Sequence, residues 1–301
     1  MICSSAFAQS EMRLSVVQYK IEGDRTLSQF LEKVERHIQR AVEQKVDIVL
    51  LPELITFDTW QVSQVETHSQ PAPEEIAETH RIASEVSPHY LSLLAKLASK
   101  LEVDIVGGST PRLEGENLYN TAVAFFSDGT KFMQDKIYPT HWELQVGICP
   151  GEELRAMHTK WGNAVILTCY DIEFPDLSTK LVPMRPELIL VPSMTESESG
   201  LQRVRWCAQA RAVEHHAFVA VSGTVGQPSE TWRHFGQALI VGPREFTFTN
   251  LPTQGRAGEE MQIVQTLDFA LLRESRLQTD FYPALDASNR QMTGPRLRVR
   301  E

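Results

Sequence analysis

Short apolar, β-branched runs alternate with helical stretches along almost the whole of this 301-residue chain, and several of the runs stop at a charged or nucleophilic residue. Residues 13–19, 46–51, 103–108, 187–192 and 217–222 read as strands of this kind. Helices are expected near 25–44, 85–100, 174–182 and 200–214. In the first of them Leu27, Phe30, Leu31, Val34, Ile38 and Val42 approximate one face. Residues 117–126 and 131–136 read as a strand pair across the turn Ser127-Asp128-Gly129-Thr130, and runs near 236–241 and 261–267 close the pattern. The class is α/β, and the strands are too many for one simple doubly wound sheet, so two sheets are expected. No obvious linker interrupts the pattern. That predicts one domain over residues 12–290, with residues 1–11 as an N-terminal extension and 291–301 as a C-terminal tail. Residues 55–80, rich in Glu, Ser and Pro, read as a long polar connection of the kind that often serves as a lid.

Three run ends carry chemistry. Ala164-Val165-Ile166-Leu167 leads into Thr168-Cys169-Tyr170-Asp171. A thiol at a strand-to-turn junction is held by the strand and faces an opening, and the backbone N–H groups beyond it can point at developing negative charge. A nucleophile belongs there; the plainer reading is a small buried hydrophobe. The run 46–51 ends in Pro52-Glu53, a carboxylate at the strand end where α/β sheets bind ligands. Its plainer reading is a solvated glutamate. In Phe132-Met133-Gln134-Asp135-Lys136-Ile137-Tyr138 a lysine interrupts an apolar and aromatic segment, and alone it reads as a surface residue of an edge strand. Pro192-Ser193-Met194-Thr195-Glu196 follows another strand end and is expected to wall a pocket, with Met194 and Thr195 positioning substrate.

Taken in order, these motifs resemble the nitrilase superfamily of carbon–nitrogen hydrolases over roughly residues 12–290. Pro52-Glu53 is similar to its glutamate motif, Asp135-Lys136 to its lysine motif, and Cys169-Tyr170-Asp171 with Phe174-Pro175 to its nucleophile motif. Gln209-Ala210-Arg211-Ala212-Val213-Glu214 resembles its Arg-Ala-rich helix, and Phe235-Gly236 with Pro243 a late strand-and-turn motif. The resemblance implies a four-layer α-β-β-α sandwich, paired into a homodimer or higher homo-oligomer. It implies that Glu53 is the general base, Cys169 the nucleophile and Lys136 the oxyanion stabiliser, with Lys136 also lowering the thiol pKa. The N–H of Tyr170 is expected as a second oxyanion donor, and Glu143, seven residues after Lys136, as a second glutamate that holds the lysine and positions substrate.

The chain departs from the common pattern at Glu173, where many members have arginine, and at His215, where many have asparagine. Tyr170 rather than Trp follows the nucleophile, which looks more like the amidase and carbamoylase branches than nitrile hydrolases. The run Arg203-Val204-Arg205-Trp206-Cys207-Ala208-Gln209-Ala210-Arg211 looks most like the branch often fused to an N-acetyltransferase domain. Arg203 or Arg205 either binds a substrate carboxylate or pairs on the helix surface with Glu196 or Glu198. A small linear amide or N-carbamoyl substrate is expected. Nitrile hydrolysis, amide-forming acyl transfer and a non-catalytic interaction module are the alternatives.

Composition narrows the partners. The formal net charge is −10 and no basic stripe occurs, so nucleic acid is not expected as a partner. The basic tail Arg296 to Arg300 reads as solvated. Cys3, Cys149, Cys169 and Cys207 form neither a disulfide framework nor a zinc motif, and no metal or cofactor is expected. A free catalytic thiol favours a reducing, cytoplasmic setting. No stretch approaches the ~20 apolar residues of a membrane span. Met1 to Gln9 lacks the regions of a signal peptide, and a translation start near Met12 is the simpler expectation.

Overall fold

The computed structural model describes residues 9–61 and 71–289. Most of the N-terminal extension with Cys3, the C-terminal tail, and residues 62–70 of the expected polar connection lie outside the described residues.

Strand β1 (Glu11–Lys20) is followed by helix α1 (Leu27–Glu43), which Thr26 and Gln29 cap reciprocally. Then come β2 (Ile48–Leu50), α2 (Pro73–Arg81), α3 (Ser87–Leu101), β3 (Asp104–Glu114), β4 (Asn117–Phe125) and β5 (Lys131–Asp135). The second half runs α4 (His141–Gln145), β6 (Met157–His158), β7 (Asn163–Ile166), α5 (Pro175–Leu181), β8 (Leu188–Ser193), α6 (Glu198–Glu214) and β9 (Phe218–Gly226). It closes with β10 (His234–Phe235), β11 (Leu239–Val241), β12 (Thr253–Gln254), β13 (Met261–Asp268), α7 (Phe269–Gln278) and α8 (Pro283–Asn289).

One sheet has the order β5-β4-β3-β2-β1-β13, with β1, β2 and β3 parallel. The other has the order β6-β7-β8-β9-β11-β12, with β7, β8 and β9 parallel. The two sheets touch where Tyr19 and Lys20 of β1 pair with Thr224 and Val225 of β9.

The period-2 geometry of strands builds the layers. Leu14, Val16, Ile48 and Leu50 face inward onto Ala164, Ile166, Leu188 and Leu190, making the core between the sheets. Their alternates Val17, Tyr19, Val49 and Leu51 face outward onto Phe30, Val34 and Ile38 of α1 and Tyr90 and Leu94 of α3. On the far side Val165, Leu167, Ile189 and Val191 pack against Leu177 and Leu181 of α5 and Val204 and Ala208 of α6. Strands covered on both faces explain why the runs read as continuously apolar. The result is the expected α-β-β-α sandwich.

Two expectations need correction. Residues 55–59 form a buried 3-10 turn and residues 73–81 form α2, so much of the expected polar connection is structured wall. Asp58 in that turn is fully buried and accepts bonds from the Tyr19 hydroxyl at 2.7 Å and the Glu22 N–H at 2.7 Å. The helices α4, α7 and α8 escaped the sequence reading; α4 has five residues, too few to show a period.

A bulge in β3 between Val106 and Ser109 brings its backbone against the end of β2. Gly108 sits there at φ +60, and a Cβ on it would lie 1.8 Å from the Pro52 carbonyl oxygen. Gly115 has a similar φ of +62 with nothing within 4 Å. Gly115→Ala should therefore cost about 1 kcal/mol, the left-handed penalty alone. Gly108→Ala should cost on the order of 3 kcal/mol, because the clash adds to it. Urea unfolding of the two variants checks this, and equal losses would contradict it.

Candidate active site

The ends of β2, β5, β7 and β8 converge on one point. Glu53, Lys136, Cys169 and Glu143 all lie there, each almost wholly buried. The Lys136 ammonium donates to Glu53 Oε1 at 2.8 Å and to Glu143 Oε2 at 2.6 Å. Asn120 of β4 donates its amide to the same two carboxylates, at 3.0 Å to Glu53 and 2.7 Å to Glu143. Glu143 is held from behind as the N3 residue of the α4 capping box, where its Oε2 accepts the Thr140 N–H at 2.7 Å.

Met194 joins Glu53 to the Cys169 thiol through its main chain. Its N–H donates to Glu53 Oε2 at 2.8 Å, and its carbonyl accepts the Cys169 S–H at 3.3 Å. The Ser193 hydroxyl points at the same sulfur at 3.5 Å. Cys169 opens a 3-10 turn, Cys169–Glu173, with a left-handed φ of 49°. A non-glycine residue in that region stores about 1–3 kcal/mol of strain. Asp171 pins the turn by accepting N–H bonds from Tyr138 at 2.8 Å, Thr168 at 3.2 Å and Ile137 at 3.3 Å.

The electrostatics follow from these contacts. Burial opposes a charge on Lys136, but Glu143 and Glu53 overcome it and hold the ammonium well above its usual pKa. Burial raises Glu53, with Lys136 opposing and Glu143 adding to the rise. Glu143 goes the other way: burial is outweighed by Lys136 and its hydrogen bonds, so its carboxyl falls below the usual range. Burial and the Glu53 charge push the Cys169 thiol far up, and Lys136 only partly offsets them. Lys136 thus lowers the thiol pKa as expected, but burial and the Glu53 charge outweigh it. Burial also raises Asp171, to about 6.

A cavity of about 460 Å³ opens at this cluster. Tyr170, Met194 and Thr195 line it. The Thr195 hydroxyl, however, donates to the Phe235 carbonyl at 2.6 Å, which fastens the wall. Arg203 lines the cavity but pairs with Glu173 at 2.9 Å, not with Glu196 or Glu198. Arg205 turns to the side-chain oxygens of Gln237 and Gln254. The unusual Glu173 thus finds its partner in Arg203, and His215 hydrogen-bonds Ser178 of α5 at 2.8 Å.

Sequence reasoning missed Asn120 and the aromatic wall of Phe57, Trp60, Trp142 and Trp232. The signal for Asn120 was a polar residue inside a buried strand. Phe57 and Trp60 fell in the segment read as a polar connection. Among the described residues no group of three or more His, Cys, Asp or Glu side chains is placed to hold a metal ion. No described helix is long and apolar enough to cross a membrane.

Comparison with known proteins identifies the family. The family model for carbon-nitrogen hydrolases matches residues 13–276. The chain belongs to that family, part of the nitrilase superfamily. The probable hydrolase YhcX of Bacillus subtilis (strain 168) is 34% identical over 274 residues, covering 88% of this chain and 51% of that protein. The chain thus spans about half the length of this relative. The omega-amidase NIT3 of Saccharomyces cerevisiae is 24% identical over 227 residues, covering 71% of this chain and 74% of that protein. The crystal structure of yeast Nit3 superposes with a TM-score of 0.70 at 21% identity, over 92% of this chain and 97% of that one. The NitFhit protein of C. elegans gives a TM-score of 0.75 at 21% identity, over 94% of this chain and 66% of that one. At these identities the structural likeness concerns the fold.

His215 is buried, and burial lowers its pKa from 6.5 to about 4. A group whose folded pKa is lowered in this way is neutral in the native state and takes up its proton more readily when unfolded. Stability is then lost as pH falls from 6.5 towards 4. The denaturation midpoint of the wild type should drop more steeply over this window than that of His215→Asn. Parallel slopes would contradict the assignment.

Proposed function

We propose that this chain hydrolyses the carbon–nitrogen bond of a small linear amide or N-carbamoyl compound through an acyl-enzyme on Cys169. The observation that carries the reading is a buried lysine held by two carboxylates beside a thiol, all opening on one cavity. The family and the amidases among its relatives support the reaction class.

In this reading the resting thiol is neutral, its S–H donated to the Met194 carbonyl. As the sulfur attacks the amide carbon, the proton passes to Glu53, whose raised pKa suits a general base. The oxyanion forms against the Lys136 ammonium and the N–H of Tyr170, donors that need no reorganisation. Glu53 then returns the proton to the departing nitrogen. A water activated by the same carboxylate attacks the thioester and releases the acid. Glu143 and Asn120 hold Lys136 and Glu53 in place throughout. The proposal includes a homodimer or larger assembly, since α6 leaves Trp206 66% exposed and Val213 45% exposed, an apolar strip a second copy would cover.

Cys169→Ala should abolish ammonia release from a panel of short amides and N-carbamoyl compounds, with the circular dichroism spectrum unchanged. Lys136→Met should lower kcat by about 10²–10³-fold. Wild-type turnover retained in Cys169→Ala would overturn the mechanism. Conversion of the amide to a new amide when amines are added would shift the reading to acyl transfer.

A further inference from the structure

The cavity extends past the catalytic cluster into a chamber that the reaction itself does not use. Trp60 is at its centre, with ring centroids 4.6 Å from Phe57, 6.2 Å from Trp142 and 5.9 Å from Trp232. All four rings line the cavity, together with Glu75 and Glu196. Glu75 is 8% exposed and also caps α2, its Oε2 accepting the Ala72 N–H at 2.8 Å. Glu196 is fixed from one side, where the Trp232 indole N–H donates to its Oε1 at 2.7 Å.

The charges around the cavity do not balance. Its lysine, Lys136, is engaged by Glu53 and Glu143, and its arginine, Arg203, by Glu173. Among the described residues no lysine, arginine or histidine pairs with Glu75 or Glu196. The chamber therefore combines aromatic rings with two carboxylates that no described cation pairs with. The faces of such rings attract ammonium groups, and more so where water is scarce. A carboxylate-bearing ligand would instead meet like charge, unless Arg203 first left Glu173.

We propose that the chamber receives a protonated amine, so that the substrate is a short aliphatic amide or N-carbamoyl compound with an ammonium group at the end away from the scissile bond. This rests on the hydrolase reading above and adds the substrate class to it. The reach fits. Glu196 is two residues beyond Met194, whose carbonyl holds the thiol, so the backbone separation is at most roughly 7 Å. A chain of a few methylenes packs its stem on the rings while its ends meet Cys169 and Glu196. Glu196 is exposed, yet the protein packed around it raises its carboxyl. The Trp232 bond opposes that rise, and the charges of Glu75 and Glu53 add to it. A cation in the chamber relieves that strain.

The test compares matched ligands of equal length: 5-aminopentanamide (cationic), hexanamide (neutral) and glutaramate (anionic). In wild type the cationic amide should have the highest kcat/KM, ~10-fold or more above the neutral one. In Glu196→Gln that ratio should fall towards one. A wild type that prefers the neutral or anionic amide, or a ratio unmoved by Glu196→Gln, would overturn the inference while leaving hydrolysis standing. Binding is measured separately by calorimetry on Cys169→Ala. Binding of the cationic amide that weakens in Cys169→Ala/Glu196→Gln supports the chamber even if no amide is turned over, in which case the hydrolase reading alone fails. No preference for the cationic amide in binding would overturn the inference whatever the activity.

Discussion

Much of this site depends on one buried ammonium. Lys136 is 1% exposed and is clasped by Glu53 and Glu143. Two carboxylates this close would not both stay ionised without it, because like charges in a poorly solvated site push one proton back on. The lysine in turn would not stay charged in such burial without them. Removing one member of a buried ion pair typically costs about 3–5 kcal/mol, since it leaves an uncompensated charge. Asn120 adds a neutral bridge between the carboxylates and fixes their spacing without changing the charge count.

The fold serves this cluster by bringing strand ends together. Glu53 follows β2, Lys136 follows β5, Cys169 follows β7, and Met194 follows β8. Two of these residues or their neighbours adopt left-handed backbone, Leu54 at φ 46° and Cys169 at φ 49°. Each is tied down locally: the Leu54 N–H donates to Ser109 at 3.1 Å, and the Cys169 turn hangs on Asp171. Met194 completes the arrangement with one peptide unit on each side, one bonded to Glu53 and one to the thiol. The Cys169 thiol is therefore oriented by main chain from two different strand ends.

Much of this was legible in the sequence, for physical reasons that differ by residue. Glu53 and Cys169 stood out because each ends an apolar run, and strand ends are where α/β sheets place chemistry. Lys136 was visible only through its place in an ordered set of motifs, since a lysine after a strand is usually solvated. The α/β class and the two sheets followed from the alternation and number of the runs, and the four-layer arrangement only from the resemblance to the family. The aromatic wall was not legible, because Phe57 and Trp60 are far in sequence from Trp142 and from Trp232, and the rings meet only through tertiary packing. The raised thiol pKa was likewise hidden: it is set by competition between burial, Glu53 and Lys136, and a list of residues does not say which lies nearer. The partner of Arg203 depended on how α6 packs on the turn 169–173.

The central claim is that the resting site holds a neutral thiol beside an ionised Glu53 and a permanently charged Lys136. The most direct measurement is the rate of Cys169 alkylation by iodoacetamide as a function of pH, followed by mass at that residue so that Cys149 and Cys207 do not contribute. A neutral thiol predicts slow alkylation at neutral pH, rising through the alkaline range with no plateau below about pH 10. A fast rate that is flat between about pH 5 and 8 would mean a preformed thiolate and would contradict the account.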